Sequence, residues 1–93
     1  MLTLDAVLNI PVSVLSTTVD QDVVLLNTLT NQYYSLDEVG AGLWNLLAEG
    51  RTLRDAHQAL LQDYEVEPAQ LEQDLLELIE HLRENGLVEI TGA

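Results

Sequence analysis

The side chains best suited to catalysis in this chain are two histidines, His57 and His81. A general base must lie within hydrogen-bond reach of the group that it deprotonates, and a catalytic nucleophile needs such a base beside it. Both histidines fall on the predicted polar side of a helix, and no nucleophile is placed beside either of them. We therefore interpret both as solvated surface residues and predict that the protein is not an enzyme.

Metal binding is weakly indicated by a single pair of residues. Glu77 and His81 are four residues apart, which places both on one face of a helix. A closed structural metal site needs more ligands than these two, and an ordinary Glu–His contact explains the pair. The chain has no cysteine, which excludes disulfides and thiolate chemistry, and it has no glycine-rich phosphate loop. We expect no metal and no cofactor.

The net charge excludes one large class of partner. Among 93 residues there are 16 acidic side chains and three cations, all arginines, so the formal net charge is −13. Proteins that bind nucleic acids use Lys and Arg to neutralise phosphates. We therefore expect neither a nucleic acid nor an anionic membrane as a partner. The N-terminus lacks the features of a signal peptide and no segment is long enough to span a bilayer, so we expect a soluble cytoplasmic protein.

Three β-rich segments, 12–19, 23–27 and 32–36, precede the helical part of the chain. Turn-like residues at 20–22 and 28–31 separate them. Such short connections favour an antiparallel meander in which the first and third strands lie at the edges of the sheet.

Three helices are predicted after the strands. Ser35 and Glu38 have the spacing of a capping box for a first helix that runs to about residue 48. Thr52 has the position of an N-cap for the second helix. The third helix, over 67–86, begins with a proline and ends with Asn-Gly.

These elements predict an α+β, winged-helix-like fold, with a three-stranded antiparallel sheet followed by three helices. The length allows a single domain over residues 1–93. Trp44 is expected in a core of branched aliphatic side chains. The tail over 87–90 either adds a short strand or fills the core.

The predicted third strand is the most suggestive binding element. Edge strands usually carry charges or proline, because exposed backbone groups invite pairing with another strand. Residues 32–36 contain neither a charged side chain nor a proline. An extended peptide adding to this edge is one interpretation. The alternatives are that another part of the chain covers the edge, or that the edge pairs across a homodimer.

The predicted third helix has one leucine outside its apolar stripe. At about 100° per residue, Leu71, Leu75, Leu78 and Leu82 centre the buried stripe, and Ile79 lies at its margin. Leu76 falls well outside, among charged residues. Leu76 and Ile79 would line one wall of a hydrophobic groove beside the sheet edge, or Leu76 is an ordinary exposed leucine.

The order of several short segments along the chain resembles the PqqD-like family. The first half of the match comprises Leu25-Leu26-Asn27-Thr28, Tyr33-Tyr34-Ser35-Leu36, Gly40, Leu43-Trp44 and Gly50. The second half comprises Asp74-Leu75, Leu78-Ile79, Leu82 and Gly86-Leu87-Val88. The match covers residues of about 20–90. Asp37 stands where relatives commonly have Asn, a mild departure because either residue begins a helix.

The resemblance implies a module that binds the leader of a ribosomal precursor peptide. In that family the leader adds to the third strand, in a cleft whose other wall is the third helix. The residues expected to bind it here are Gln32, Tyr33, Tyr34, Ser35, Leu36, Asp74, Leu75, Leu78, Ile79 and Leu82. Asp74 is expected to accept a hydrogen bond or to pair with a leader cation, and the acidic surface to steer a basic leader.

Within the family, the chain is most similar to the free-standing recognition proteins of lasso-peptide pathways, in its tyrosine pair and in the helix that contains Gly40, Gly42 and Trp44. The likeness implies that the protein presents the precursor to a separate leader peptidase, before a cyclase closes the ring. Two alternatives stay open at this stage. One is a PqqD that serves a radical-SAM enzyme, and the other is a winged-helix DNA-binding regulator.

Overall fold

The computed structural model describes residues 2–92, which form a single chain of eight helices and strands. In order they are β1 (Val7–Asn9), β2 (Val14–Val19), β3 (Asp22–Asn27), β4 (Gln32–Leu36), α1 (Glu38–Ala48), α2 (Leu53–Asp63), α3 (Pro68–Glu84) and β5 (Glu89–Gly92). The predicted α+β architecture is confirmed, because β2, β3 and β4 form a three-stranded antiparallel sheet and three helices follow it.

The three-stranded sheet is a meander with β3 at its centre, so the first and third predicted strands lie at its edges as expected. The turn between β2 and β3 consists of Asp20 and Gln21, and Asp20 adopts a φ of 57°. Two-residue turns that begin with a positive φ match the twist of the strands they join. This tight turn fixes the register, with Val19 opposite Asp22.

A second sheet joins the two ends of the chain. Its strands are β1 and β5, which pair antiparallel with Leu8 opposite Ile90 and Asn9 opposite Glu89. β1 is only three residues long, and its partner lies at the far end of the sequence, so no local pattern predicted it. Leu87 and Val88, which precede β5, are buried. The tail therefore both fills the core, with Leu87 and Val88, and adds a short strand, β5.

The helix ends show one wrong prediction and two confirmed ones. α1 is capped by Asp37, whose carboxylate accepts a hydrogen bond from the Gly40 N–H at 3.0 Å. The capping box predicted at Ser35 is wrong because Ser35 is still paired within β4. Thr52 caps α2 as predicted, and Pro68 opens α3.

The core lies between the inner face of the three-stranded sheet and the three helices. Its fully buried side chains come from every layer and are almost all aliphatic. They include Val23, Leu25, Leu43, Leu53, Leu75, Ile79, Leu82, Leu87 and Val88. Trp44 is buried among them, as predicted.

His57 is buried, which contradicts the sequence interpretation of a solvated histidine. It lies in α2 at the spacing of the inward-facing residues Leu53, Ala56 and Leu60. Its Nε2–H donates a hydrogen bond to the carbonyl of Pro68 at 2.9 Å, which ties α2 to the first turn of α3. The side chain is thus a satisfied interior polar group. His81 is exposed, as predicted.

Gly86, just after the end of α3, occupies a position that a residue with a side chain could not adopt without strain. Its φ is +71°, and a Cβ added there would lie 2.9 Å from the Asn27 Nδ2. Asn27 is buried and fixed, because its amide donates to the Asn85 carbonyl and accepts from the Leu29 N–H, each at 3.0 Å. Gly50, after α1, has a φ of +89° but nothing within 4 Å of an added Cβ.

We expect Gly86→Ala to lower the free energy of unfolding by about 2–4 kcal/mol, because backbone strain and a steric clash add together. Gly50→Ala is the matched control and should cost about 1–2 kcal/mol, since only the backbone strain remains. Urea denaturation of both variants measures the difference. Equal losses would contradict the steric role of Asn27.

Candidate functional site

The hydrogen-bonding pattern of the sheet shows which backbone groups of β4 lie at its outer edge. Val19 and Asp22 close the two-residue turn as a bonded pair, and the Thr28 N–H donates to the Ser13 carbonyl at 3.0 Å at the other end of the hairpin. Both pairs join an odd-numbered residue before the turn to an even-numbered one after it. The even-numbered residues of β3 therefore form their hydrogen bonds with β2. Because successive residues of a central antiparallel strand bond to opposite neighbours, the odd-numbered residues of β3 bond to β4.

The backbone groups that face outward on β4 are therefore those of Tyr33 and Ser35. Gln32, Tyr34 and Leu36 stand opposite odd-numbered residues of β3 and are engaged in the sheet. Within residues 2–92 no further strand pairs with this edge, since β1 and β5 form their own sheet. β4 thus presents two N–H donors and two carbonyl acceptors to any strand laid beside it.

A groove of about 530 Å³ runs beside this edge, between β4, the start of α1 and one flank of α3. Its lining is mostly apolar, with carboxylates at the rim. The lining residues are Tyr34, Ser35, Leu36, Asp37, Val39, Gly40, Val66, Leu71, Asp74, Leu75 and Leu78. The predicted strand and the predicted helix therefore do meet in one depression.

Gly40 allows α1 to approach the groove wall closely. A Cβ at this position would lie 3.3 Å from the Leu36 Cβ and 3.3 Å from the Leu78 Cδ2. Gly40 is buried at the first turn of α1, directly after β4 ends. The absence of a side chain lets the end of β4, α1 and α3 pack together at the base of the groove.

The structure corrects which α3 residues face the groove. Leu78 is half-buried and lines it, and Leu75 lines it from below although it is almost completely buried. Ile79 and Leu82 are fully buried in the core and offer no surface to the groove. The placement of Ile79 at the margin of the stripe is wrong, because α3 is rotated so that Ile79 points at the core and Leu78 lies on its flank.

Asp74 and Leu76 lie on opposite flanks of α3, as the helical spacing predicts. Asp74 is exposed at the rim of the groove and accepts a hydrogen bond from the Gln70 Nε2 at 2.9 Å. Leu76 packs partly against the core and lines a different depression, together with Leu2 and the acidic far side of α3. Leu76 therefore takes no part in the groove beside β4.

Carboxylates surround one end of the groove. Asp37 and Asp74 line it, and Glu38 follows Asp37 at the first turn of α1. Partial burial, first, and then the negative charge of Glu38 raise the pKa of Tyr64, which ends α2 beside them. An occupant of this groove would meet apolar side chains on the floor and negative charge at the rim.

Other chemistry finds little support in the described part of the chain. Among residues 2–92, no three His, Cys, Asp or Glu side chains are grouped so that they could hold a metal ion. The spacing of Glu77 and His81 predicts a contact between them, but the Glu77 carboxylate accepts a hydrogen bond from the Gln73 Nε2 at 3.2 Å instead. No helix within 2–92 has the length and apolar character that crossing a membrane requires.

Comparison with known families assigns the chain. The sequence model of the family described as coenzyme PQQ synthesis protein D (PqqD) matches residues 22–88. The chain belongs to the PqqD family. The matched residues span β3, β4 and all three helices, and so include both walls of the groove. Among curated proteins no match was found.

Two solved structures are similar to this PqqD-family chain. One is described as "TbiB1 in Complex with the TbiA(beta) Leader Peptide", with 35% identity and a TM-score of 0.83, and the alignment covers 86% of this chain and 93% of that one. The other is described as "Lasso peptide synthetase B1 complexed with the leader peptide", with 28% identity and a TM-score of 0.80, covering 88% and 96%. Both neighbours were thus solved with a leader peptide bound.

Proposed function

We propose that this protein binds the leader segment of a ribosomal precursor peptide of a lasso pathway, by addition of a strand to β4. The observation that carries the proposal is the outward-facing backbone of Tyr33 and Ser35 beside an apolar groove. Membership of the PqqD family and the leader-bound state of both similar structures support it. The chain then acts as a single recognition domain over residues 1–93.

Backbone pairing supplies the first part of the binding. An added strand exchanges hydrogen bonds with Tyr33 and Ser35, and each such bond is worth about 0.5–1.5 kcal/mol net. These bonds hold the peptide in register but read little of its sequence. They also explain why an uncharged, proline-free edge is useful here, since a charge or a proline would oppose the added strand.

Side chains supply the second part. Alternate residues of a strand point to the same face, so every second side chain of the leader enters the groove. There it meets Leu78, Val39 and Val66 on the walls, with Leu75 below. We infer that the leader carries two apolar side chains that face the groove, with one residue between them in the sequence.

The acidic rim supplies the third part. Asp74 and Asp37 lie at the mouth of the groove, in a chain whose net charge is −13. A leader cation near Asp74 is therefore favoured, and the overall field steers a basic leader toward the protein. Both effects weaken as salt is added, because the charges are exposed.

The bound leader is then presented to other proteins of the pathway. We propose a separate leader peptidase as the enzyme that removes the leader and a cyclase that closes the ring, while this chain itself catalyses no step. The DNA-binding alternative is disfavoured by the shortage of cations, since Arg83 is the only one in α3 and it is paired with Glu80. We expect the protein to act in the cytoplasm, where precursor peptides are made.

Titration of a fluorescently labelled cognate leader tests the function. We expect saturable one-to-one binding in a polarisation assay, with an affinity that falls as salt rises from low to physiological concentration. A leader with its residues scrambled is the control, and it should not bind. No binding of the cognate leader would refute the proposal. Cleavage of the full precursor by this protein alone would refute its role as a non-enzymatic partner.

A further inference from the structure

The loop between α2 and α3, residues 64–67, lies at the end of the groove where α3 begins. Val66 belongs to this loop and lines the groove, although it is 44% exposed. Its neighbours in sequence, Glu65 and Glu67, are both exposed carboxylates. A lone exposed valine needs no explanation, but one that lines an apolar depression is placed to contact whatever fills it. Val66 is the apolar side chain that this loop offers to the leader.

Backbone contacts leave the loop little conformational freedom. At its start, the Tyr64 N–H donates to the Leu60 carbonyl at 3.0 Å, and the Val66 N–H donates to the Tyr64 carbonyl at 3.1 Å. At its end, Glu67 is extended, with φ −69° and ψ 132°, which is the conformation that a following proline favours. Pro68 fixes its own φ and opens α3. The loop therefore enters α3 in one conformation, which gives Val66 a defined position.

His57 supplies the side-chain contact that holds the end of this loop to α2. It is 7% exposed, and its Nε2–H donates to the Pro68 carbonyl at 2.9 Å. The bond joins the middle of α2 to the first residue of α3. Leu71 and Asp74, which line the groove, follow within the next two turns of α3. A shift of Pro68 would therefore move Val66 on one side and the groove-lining turns of α3 on the other.

A hydrogen-bonded histidine is not what packing alone favours at position 57. The residue stands at the spacing of the buried Leu53, Ala56 and Leu60, where an aliphatic side chain would leave no polar group to satisfy. The imidazole adds direction, because its N–H holds the Pro68 carbonyl at a fixed distance. None of the contacts proposed for the leader uses His57. Its role therefore lies in where it holds the start of α3.

We propose that Val66 is a specificity-determining residue for the leader, and that His57 is the positioning residue that holds it in place. This inference rests on the proposed leader binding. A rigid end to the groove limits the size of the leader side chain beside it, because extra methylenes in a closely packed space force side chains or backbone to shift. A mobile loop would yield to the larger side chain at little cost. Discrimination between leaders therefore depends on both residues, whereas backbone pairing with β4 supplies affinity without it.

Leaders with one enlarged side chain test this specificity. The two groove-facing apolar residues of the cognate leader are replaced by tryptophan one at a time, and the Kd of each leader is measured by polarisation. The size penalty is the Kd of an enlarged leader divided by the Kd of the cognate leader. For the wild-type protein we expect a penalty of at least about tenfold at one of the two leader positions. Equal affinity for all three leaders would overturn the inference.

Val66→Ala and Val7→Ala form the first matched pair. Both replace an exposed valine, but Val7, which is 55% exposed, lies on the separate sheet of β1 and β5. Val66→Ala should lower the size penalty by at least about fivefold, because the shorter side chain opens space at that end of the groove. Val7→Ala should keep the wild-type penalty. A wild-type penalty in Val66→Ala at both leader positions would overturn the role of Val66.

His57→Leu and His57→Gln form the second pair. Leucine fills the interior position but donates no hydrogen bond, whereas glutamine carries an Nε2–H that can reach the Pro68 carbonyl. We expect His57→Leu to lower the size penalty by at least about threefold, and His57→Gln to keep most of it. Gly50→Ala is the control for lost stability, since Gly50 lies outside the groove. Its size penalty should equal that of wild type.

The size penalty separates positioning from simple support of the fold. If His57→Leu weakened the cognate and the enlarged leaders equally, the penalty would be unchanged and the positioning role of His57 would be overturned. An equal loss of the penalty in His57→Gln and His57→Leu would also overturn it, because the donor would then be irrelevant. Failure of the wild-type protein to bind the cognate leader would refute the proposed function itself. Normal binding with unchanged penalties refutes this inference alone, so the two failures are distinguishable.

Discussion

Ser35→Pro is expected to weaken leader binding strongly while the protein stays folded. Proline has no N–H and fixes φ near the value of an extended strand, so it is tolerated where the N–H faces away from the sheet. Ser35 is such a position, because its backbone groups point to the open edge of β4. The change removes one donor to the leader and places a ring where the added strand would lie. We expect affinity to fall by at least about tenfold.

Ser16→Pro is the matched control for this experiment. Ser16 lies on β2, the other edge strand, and stands opposite Leu25 at a position whose N–H also faces outward. The substitution is the same, the strand is again at an edge, and only the distance from the groove differs. Its leader affinity should equal that of wild type.

Tyr34→Pro has a different expected result from Ser35→Pro. Tyr34 stands opposite Leu25 in the bonded register of β3 and β4, so a proline there removes a bond within the sheet. We expect this variant to lose stability in a circular-dichroism melt, whereas Ser35→Pro keeps a melt close to wild type. Leader binding by a folded Ser35→Pro protein at wild-type affinity would exclude strand addition at this edge.

The sequence predicts the position of β4 but not which of its backbone groups, those of Ser35 or those of Tyr34, face the open edge. The bounds of β4 at residues 32 and 36 were predicted correctly, because the run of β-forming residues lies between clear turn and cap signals. Which of its backbone groups face outward depends on the bonding of β3 to β2. That bonding is set by the two-residue turn at Asp20 and Gln21, whereas the sequence pattern predicts a three-residue turn over 20–22.

The rotation of α3 about its axis, which decides which side chains line the groove, was also not predictable from the sequence. The spacing of leucines along α3 predicted an apolar stripe, but both Leu78 and Ile79 are apolar and adjacent, and the pattern alone does not say which one points inward. Packing against the sheet and α1 decides it, and Ile79 is the buried one. His57 was misplaced for a related reason, since a polar residue at an inward spacing was assigned by its type rather than by its position.

The pairing of β1 with β5 was beyond sequence reasoning for a physical reason. Its register joins Asn9 to Glu89 across almost the whole chain, and three-residue strands carry too few side chains to show a period. The groove escaped this limit because β4, α1 and α3 are each long enough to show their own pattern. The family resemblance then supplied the one fact that local patterns lack, namely that the strand and the third helix lie side by side.

Ile79→Glu should lower stability and Leu78→Glu should lower leader affinity, although the two residues are neighbours in sequence. Ile79 is fully buried, so a glutamate there loses the packing of the isoleucine and buries a carboxylate with no partner. We expect a loss of at least about 4 kcal/mol from a total stability of roughly 5–15 kcal/mol for a domain of this size. The melting temperature should fall sharply, and leader binding should fall only as far as the folded fraction falls.

Leu78→Glu should instead remain folded and bind the leader more weakly. Leu78 is half-buried on the groove wall, so its glutamate can reach water when the groove is empty. When the leader enters, the carboxylate must be desolvated beside apolar side chains, and the contact with the leucine, worth about 1.5–3 kcal/mol if fully buried, is lost as well. We expect affinity to fall by about tenfold or more. A wild-type affinity for Leu78→Glu would show that the leader does not use this groove. A wild-type melting temperature for Ile79→Glu would show that a different face of α3 points at the core. The two variants therefore test the two faces of the helix separately.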